Sequence, residues 1–103
     1  MAATVIWSQE ALDDINAIAD YISRDSLYHA QRVVEQIFEL AASAAEYPKM
    51  GRVVPELGDE VVRERFVYSY RVIYEISDAQ INILGVVHGR QLLESIEGRF
   101  NRS

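Results

Sequence analysis

The sequence predicts an α+β domain. An N-terminal strand leads into an antiparallel helical hairpin, which packs on one face of a mainly antiparallel sheet in the order β-α-α-β-β-β, with a short C-terminal helical tail. Three observations carry this. Apolar residues recur at spacings of three and four through the first half of the chain, the mark of helices with one buried face. After Val61 the period changes to two, the mark of strands. Between the two regimes lies "PKMGRVVPELGDE", Pro48–Glu60, with two prolines and two glycines in thirteen residues. Loops of that length in a small domain are commonly functional or held by a partner.

"TVIW", Thr4–Trp7, is a short β-type run. Ser8 offers an N-cap, and Glu10, Asp13 and Asp14 follow in the first turns, where the helix dipole favours negative charge. Leu12, Ile15, Ile18, Ala19 and Ile22 form one apolar stripe, which predicts a helix over Gln9–Ser23. Arg24–Ser26 interrupts it, and Ser26 can cap a second helix. The stripe of that helix runs through Ala30, Val33, Val34, Ile37, Leu40, Ala41 and Ala44 and stops before Pro48. So short a connection brings the two helices back antiparallel.

Beyond the loop, "VVRERFV", "YRVIYEI" (Tyr70–Ile76) and "INILGVV" (Ile81–Val87) read as three strands, joined by turns at Tyr68–Ser69 and "SDAQ". Connections this tight make an antiparallel meander. On the middle strand Tyr70, Val72, Tyr74 and Ile76 form a core face, and Arg71, Ile73 and Glu75 the other. Strict alternation on the last strand points Ile81, Ile83 and Val87 one way and Leu84 and Val86 the other. A strand apolar on both faces needs cover on both. The hairpin supplies one cover; the other is expected from the C-terminal segment, the long loop or another chain. Leu92, Leu93, Ile96 and Phe100 at helical spacing predict the tail helix over Arg90–Phe100.

A length of 103 residues predicts one domain spanning 1–103. There is no cysteine, hence no disulfide framework and no thiolate metal site. The start of the chain has no basic region and no long apolar run, so a signal peptide or membrane span is not expected and the cytoplasm is the default compartment. The net charge is −6, and it is unevenly spread: residues 1–51 carry three basic side chains against eight acidic ones, residues 52–103 seven arginines against eight acids. An acidic total argues against a protein that lives on the phosphate backbone of nucleic acid, though it leaves room for a small local basic site in the second half, and no direct sequence-specific nucleic-acid binding is expected.

Candidate chemistry gathers around "GVVHGR", Gly85–Arg90. His88 near a strand end could transfer protons or bond a phosphate, or simply finish the strand. Arg71 and Arg90 could converge as rigid forks for phosphate or carboxylate, with Arg71 on the surface away from the helices or paired with an acid there. Arg63, Glu64 and Arg65 alternate on the strand after the loop and read as a solvated edge. His29 reads as a solvated residue. No Gly-rich phosphate loop, metal-ligand spacing or serine-nucleophile signature is present, so no cofactor or metal is expected.

With these segments in place, the chain resembles the RelE/ParE superfamily of type II toxin–antitoxin toxins over nearly its whole length. The resemblance rests on "WSQEALDDINAIADYI", "YPKMGRVVPEL", "VRE", "YRVIYEI" and "ILGVVHGR", in the family's order. It implies the fold reached above, growth-inhibiting activity, and a cognate antitoxin, ParD-like or another small protein. RelE-like members are ribosome-dependent mRNA endonucleases; ParE-like members poison DNA gyrase. Arg71 and Arg90 match the nuclease pattern, but the lysines of the strand before "YR" and the tyrosine of the C-terminal segment are missing. Glu64 with His88 keeps a nuclease reading open, with His88, Arg71, Arg90 and Glu64 as its residues, and a member that binds antitoxin without toxicity is a third reading. The "GR…P" loop and the "HGR" ending look more like the ParE class, a binding-type toxin rather than an enzyme. The antitoxin is expected to meet Arg63, Arg65, Arg71 and Arg90 through its acids, and Leu92, Leu93 and Ile96 through apolar side chains.

Overall fold

Both helices begin where the sequence offers a hydroxyl cap. A computed structural model describes residues 3–90 and contains β1 (Thr4–Trp7), α1 (Gln9–Ser23), α2 (Leu27–Glu46), a 3-10 turn (Pro48–Met50), β2 (Arg52–Val53), β3 (Val62–Val67), β4 (Tyr70–Ser77) and β5 (Gln80–His88). The Ser8 hydroxyl accepts from the Ala11 N–H at 3.0 Å, and the Ser26 hydroxyl from the His29 N–H at 3.1 Å. Each satisfies one of the donors that a helix start leaves open. The predicted tail helix and its stripe Leu92, Leu93, Ile96 and Phe100 lie outside the described residues.

The sheet order is β1-β5-β4-β3-β2. β1 runs parallel to β5 and the remaining pairs are antiparallel. The hairpin covers one face. Ile15 of α1 and Val33, Ile37 and Ala41 of α2 pack with Val72, Tyr74, Ile81 and Ile83 of the sheet in one core. Trp7 of β1 joins α2 through Phe38, with ring centroids 4.7 Å apart. Tyr74 is fully buried, as its place on the core face predicted.

Two expectations are corrected. The strand carrying Arg63, Glu64 and Arg65 is not a solvated edge, because the long loop contributes β2, which pairs Arg52 with Glu64 and Val53 with Arg63. Arg63 and Glu64 are buried. The faces of β5 are also reassigned. Ile73 pairs with Gly85 while Tyr74 pairs with Ile83, so Leu84 is an extra residue, a β-bulge. The bulge reverses the alternation beyond it: Val86 joins Ile81 and Ile83 in the helix-side core, and Val87 joins Leu84 on the opposite face.

β1 pairs with β5 only as far as Ile83, and α1 takes over from it. The Ser8 N–H donates to the Ile83 carbonyl at 3.2 Å, its hydroxyl to the Leu84 carbonyl at 3.4 Å, and Asp14 Oδ2 accepts from the Val86 N–H at 2.9 Å. Helix side chains thus serve the bulged strand where no neighbouring strand does.

The second face is covered by the loop. Val54 packs there with Val62, Ile73 and Val87, and all four are buried. The loop is tied on the helix side as well. The Tyr74 hydroxyl donates to the Pro48 carbonyl at 2.6 Å, and Arg63 donates to the carbonyls of Gly51 at 3.0 Å and Glu60 at 2.8 Å. Gly51 is required by this close approach, since a Cβ there would run into the Tyr74 phenol oxygen. Gly51→Ala is expected to destabilise the fold by about 1–3 kcal/mol, the usual range for overpacking. Adding Tyr74→Phe should recover part of that loss, although alone it should cost about 1 kcal/mol by removing a hydrogen bond. Urea unfolding of the two single variants and the double variant measures the coupling.

Candidate functional site

Glu64, Arg71 and His88 lie on adjacent strands, and the sheet decides which of them meet. Glu64 and Arg71 project from the face away from the helices and are 1 % and 4 % exposed. Glu64 Oε1 accepts from Arg71 Nε at 2.7 Å and forms an ion pair with Nη2 at 2.5 Å, and Oε2 accepts from Arg52 Nε at 2.5 Å. Arg71 also donates Nη1 and Nη2 to the two oxygens of Glu56, at 2.9 and 3.0 Å. The Arg52 guanidinium stands 5.6 Å over the Phe66 ring. Two arginines and two carboxylates therefore close into a neutral cluster around one fully buried carboxylate. Arg71 pairs with acids, as one expectation had it, but it is buried rather than on the surface.

The hydrogen bonds to Glu56, and then those to Glu64, outweigh burial and raise the Arg71 pKa above its ordinary value. In return Arg71 holds the Glu56 carboxyl below its ordinary value of 4.5. With both forks of its guanidinium engaged, Arg71 is a structural cation in this fold.

His88 is exposed and lies on the other side of the sheet. It pairs with Tyr70, whose ring packs on the helix-side core and meets the imidazole edge-on at 5.8 Å. The bulge at Leu84 is the cause, because uninterrupted alternation would have put His88 on the face of Arg71. His88 Nδ1 accepts from the Arg90 N–H at 3.2 Å, so a neutral imidazole carries its proton on Nε2. The Gly89 N–H donates to the Ser69 carbonyl at 2.7 Å. A Cβ on Gly89 would lie 3.1 Å from that oxygen and 3.2 Å from Phe66, so the glycine between His88 and Arg90 serves the packing of the β3–β4 turn.

Arg63 and Arg65 are also engaged within the fold. Besides its bonds to the loop carbonyls, Arg63 pairs with Glu60 at 3.3 Å, and Arg65 donates to the Ser43 hydroxyl of α2 at 3.2 Å. The Arg90 side chain is exposed; Leu92, Leu93 and Ile96 lie outside the described residues. His29 is exposed and packs edge-on against Tyr68, with centroids 5.4 Å apart. Sequence reasoning missed Arg52 and Glu56, which sit in a loop where no periodicity marks an inward-facing side chain. Among the described residues no group of His, Asp or Glu could hold a metal ion, and no helix is long and apolar enough to cross a membrane.

Glu64→Ala should destabilise by about 3–5 kcal/mol, because it leaves Arg71 buried with half its compensation gone. Glu56→Ala should cost less, since its side chain is 45 % exposed. The pH dependence has a definite sign. Because the folded-state pKa of Glu56 lies below 4.5, its contribution is complete above that value and is lost as pH falls through the folded pKa. Glu56→Gln should therefore lower the urea midpoint at pH 7 and flatten its decline below about pH 4.5.

The fold and sequence have close relatives. The family described as "ParE toxin of type II toxin-antitoxin system, parDE" matches residues 5–93. Toxin RelE2 of Caulobacter vibrioides is 36% identical over 90 residues, which are 87% of this chain and 99% of the relative. Among solved structures, the chromosomal ParDE toxin–antitoxin system from P. aeruginosa superposes with a TM-score of 0.69 at 20% identity, covering 84% of this chain and 96% of that one. A free-state variant of E. coli toxin RelE gives 0.72 at 16% identity, covering 99% and 100%. These structures share the fold; the family match and the full-length relative establish kinship, and the chain belongs to the ParE toxin family of type II toxin–antitoxin systems, within the RelE/ParE superfamily.

Proposed function

We propose that this toxin acts by binding its target rather than by cleaving RNA, that the target is DNA gyrase, and that a cognate small antitoxin holds it inactive in the cytoplasm. One observation carries the reading against a nuclease: the sheet separates His88 from Arg71 and Glu64. Cleavage of RNA through its 2′-hydroxyl requires a base, a cation for the phosphate and an acid for the leaving oxygen around one reacting centre. Here the imidazole lies on the helix side, and the arginine that would meet the phosphate is neutralised on the other side by Glu56 and Glu64. The solved ParDE toxin–antitoxin system of similar fold supports an antitoxin partner. Acids of that antitoxin would have to compete with the internal partners of Arg63, Arg65 and Arg71, which leaves Arg90 as the accessible arginine of the set.

The RelE-like reading draws on the relative named Toxin RelE2 and on the exposure of His88 and Arg90 at the end of β5. Expression without antitoxin separates the two. A gyrase poison should raise DNA breaks and the SOS response, leave ribosome-bound message uncut, and stay toxic as His88→Ala. Specific cuts in ribosome-bound mRNA that disappear in His88→Ala would establish the nuclease instead. Stable expression with neither effect would mark a member that has lost toxicity.

A further inference from the structure

A second site lies on the helix side, at the end of β5 away from β1. A cavity of about 540 Å³ opens between α1, the start of α2 and the β3–β4 turn. Its walls carry five rings, from Tyr21, His29, Tyr68, Tyr70 and His88, together with the carboxylate of Asp14. Neither arginine nor lysine lines it among the described residues. The rings stand nearly perpendicular in two pairs, Tyr70 with His88 at 79° and His29 with Tyr68 at 78°. Tyr68 has φ +54, a conformation that a bulky side chain adopts at a cost. Such strain persists where the surroundings enforce it and concentrates at functional positions.

We propose that this cavity is an aromatic cage for a cationic side chain, an arginine or lysine presented by a segment of a protein partner. Perpendicular aromatic walls offer their negative faces to a cation from several sides, and desolvation strengthens that attraction. Charge favours the same occupant. Six of its twelve lining residues come from each half of the chain, and among the described residues its walls hold one carboxylate, two imidazoles and no arginine or lysine to fix a phosphate. Burial, with the nearby Tyr21 phenol adding to it, raises the pKa of the Tyr70 phenol, so that ring stays neutral under ordinary conditions. The inference does not depend on whether gyrase is the target.

The test is an NMR titration of the full chain with N-acetylarginine methylamide, its neutral isostere N-acetylcitrulline methylamide, and uridine monophosphate. The arginine compound should shift the amide resonances of Tyr68, Tyr70 and His88 saturably, and the other two should not. A Tyr21→Leu, Tyr68→Leu double variant keeps apolar bulk but removes two ring faces, and it should bind the arginine compound about tenfold more weakly. Both residues are mostly exposed, at 67 % and 54 %, so the fold should survive. The citrulline comparison uses the unaltered chain and decides the matter even if the double variant does not fold. Equal binding of citrulline, shifts from the nucleotide instead, unchanged affinity in a folded double variant, or no saturable shift would each overturn the proposal.

Discussion

The architecture depends on a carboxylate that has no access to water. Glu64 sits on a central part of the sheet, and an ionised group there is tolerated only if its charge is matched and its oxygens are hydrogen-bonded. Arg71 meets that need from the neighbouring strand and Arg52 from the loop. Engaging Arg52 draws the loop against β3 as a short strand, which brings Val54 over Ile73 and Val87 and places Glu56 against the far side of Arg71. The second face of the sheet, too apolar for solvent, thus acquires its cover because a charge beneath it requires partners. Such an arrangement adds little net stability over an apolar equivalent, but it resists alternatives, since any other loop placement strands a buried ion.

The helix side holds the same loop by different means. Tyr74 and Arg63 take the carbonyls of its turns, and Gly51 leaves room for the phenol. Proline, glycine and arginine in "PKMGR" therefore have separate tasks: Pro48 provides an acceptor and ends the helical region, Gly51 provides space, and Arg52 provides charge. A segment that composition marks only as irregular is bound from both faces of the sheet.

The helices were legible almost residue by residue, because stripe, cap and breaker are local signals and all agreed at Ser8, Ser26 and Pro48. The meander was legible for the same reason, with Val72 and Tyr74 on the side their alternation required. The site was not. Nothing local in "VVRERFV" distinguishes a solvated edge from a buried ion pair, since the difference lies in Arg52 and Arg71, which reach Glu64 across 12 and 7 positions of sequence, and in Glu56, which reaches Arg71 across 15. The bulge is likewise a tertiary fact. Gly85 hinted at it, but the extra residue exists only relative to the register of β4.

That extra residue bears on how functional residues can be carried between relatives. An alignment matches letters, and "VVHGR" will align with any similar ending. Yet the face on which each letter emerges is set upstream, by whether the strand bulges at Leu84 or runs on in regular alternation. The same letters run in strict alternation, with no bulge, would exchange the surfaces that His88 and Val87 present, whereas losing Leu84 and the bulge together would leave both where they are. Two homologues with the same residues in the same order could thus display them to opposite sides of the molecule. Relatives are better grouped by the register of β5 against β4 than by its motif.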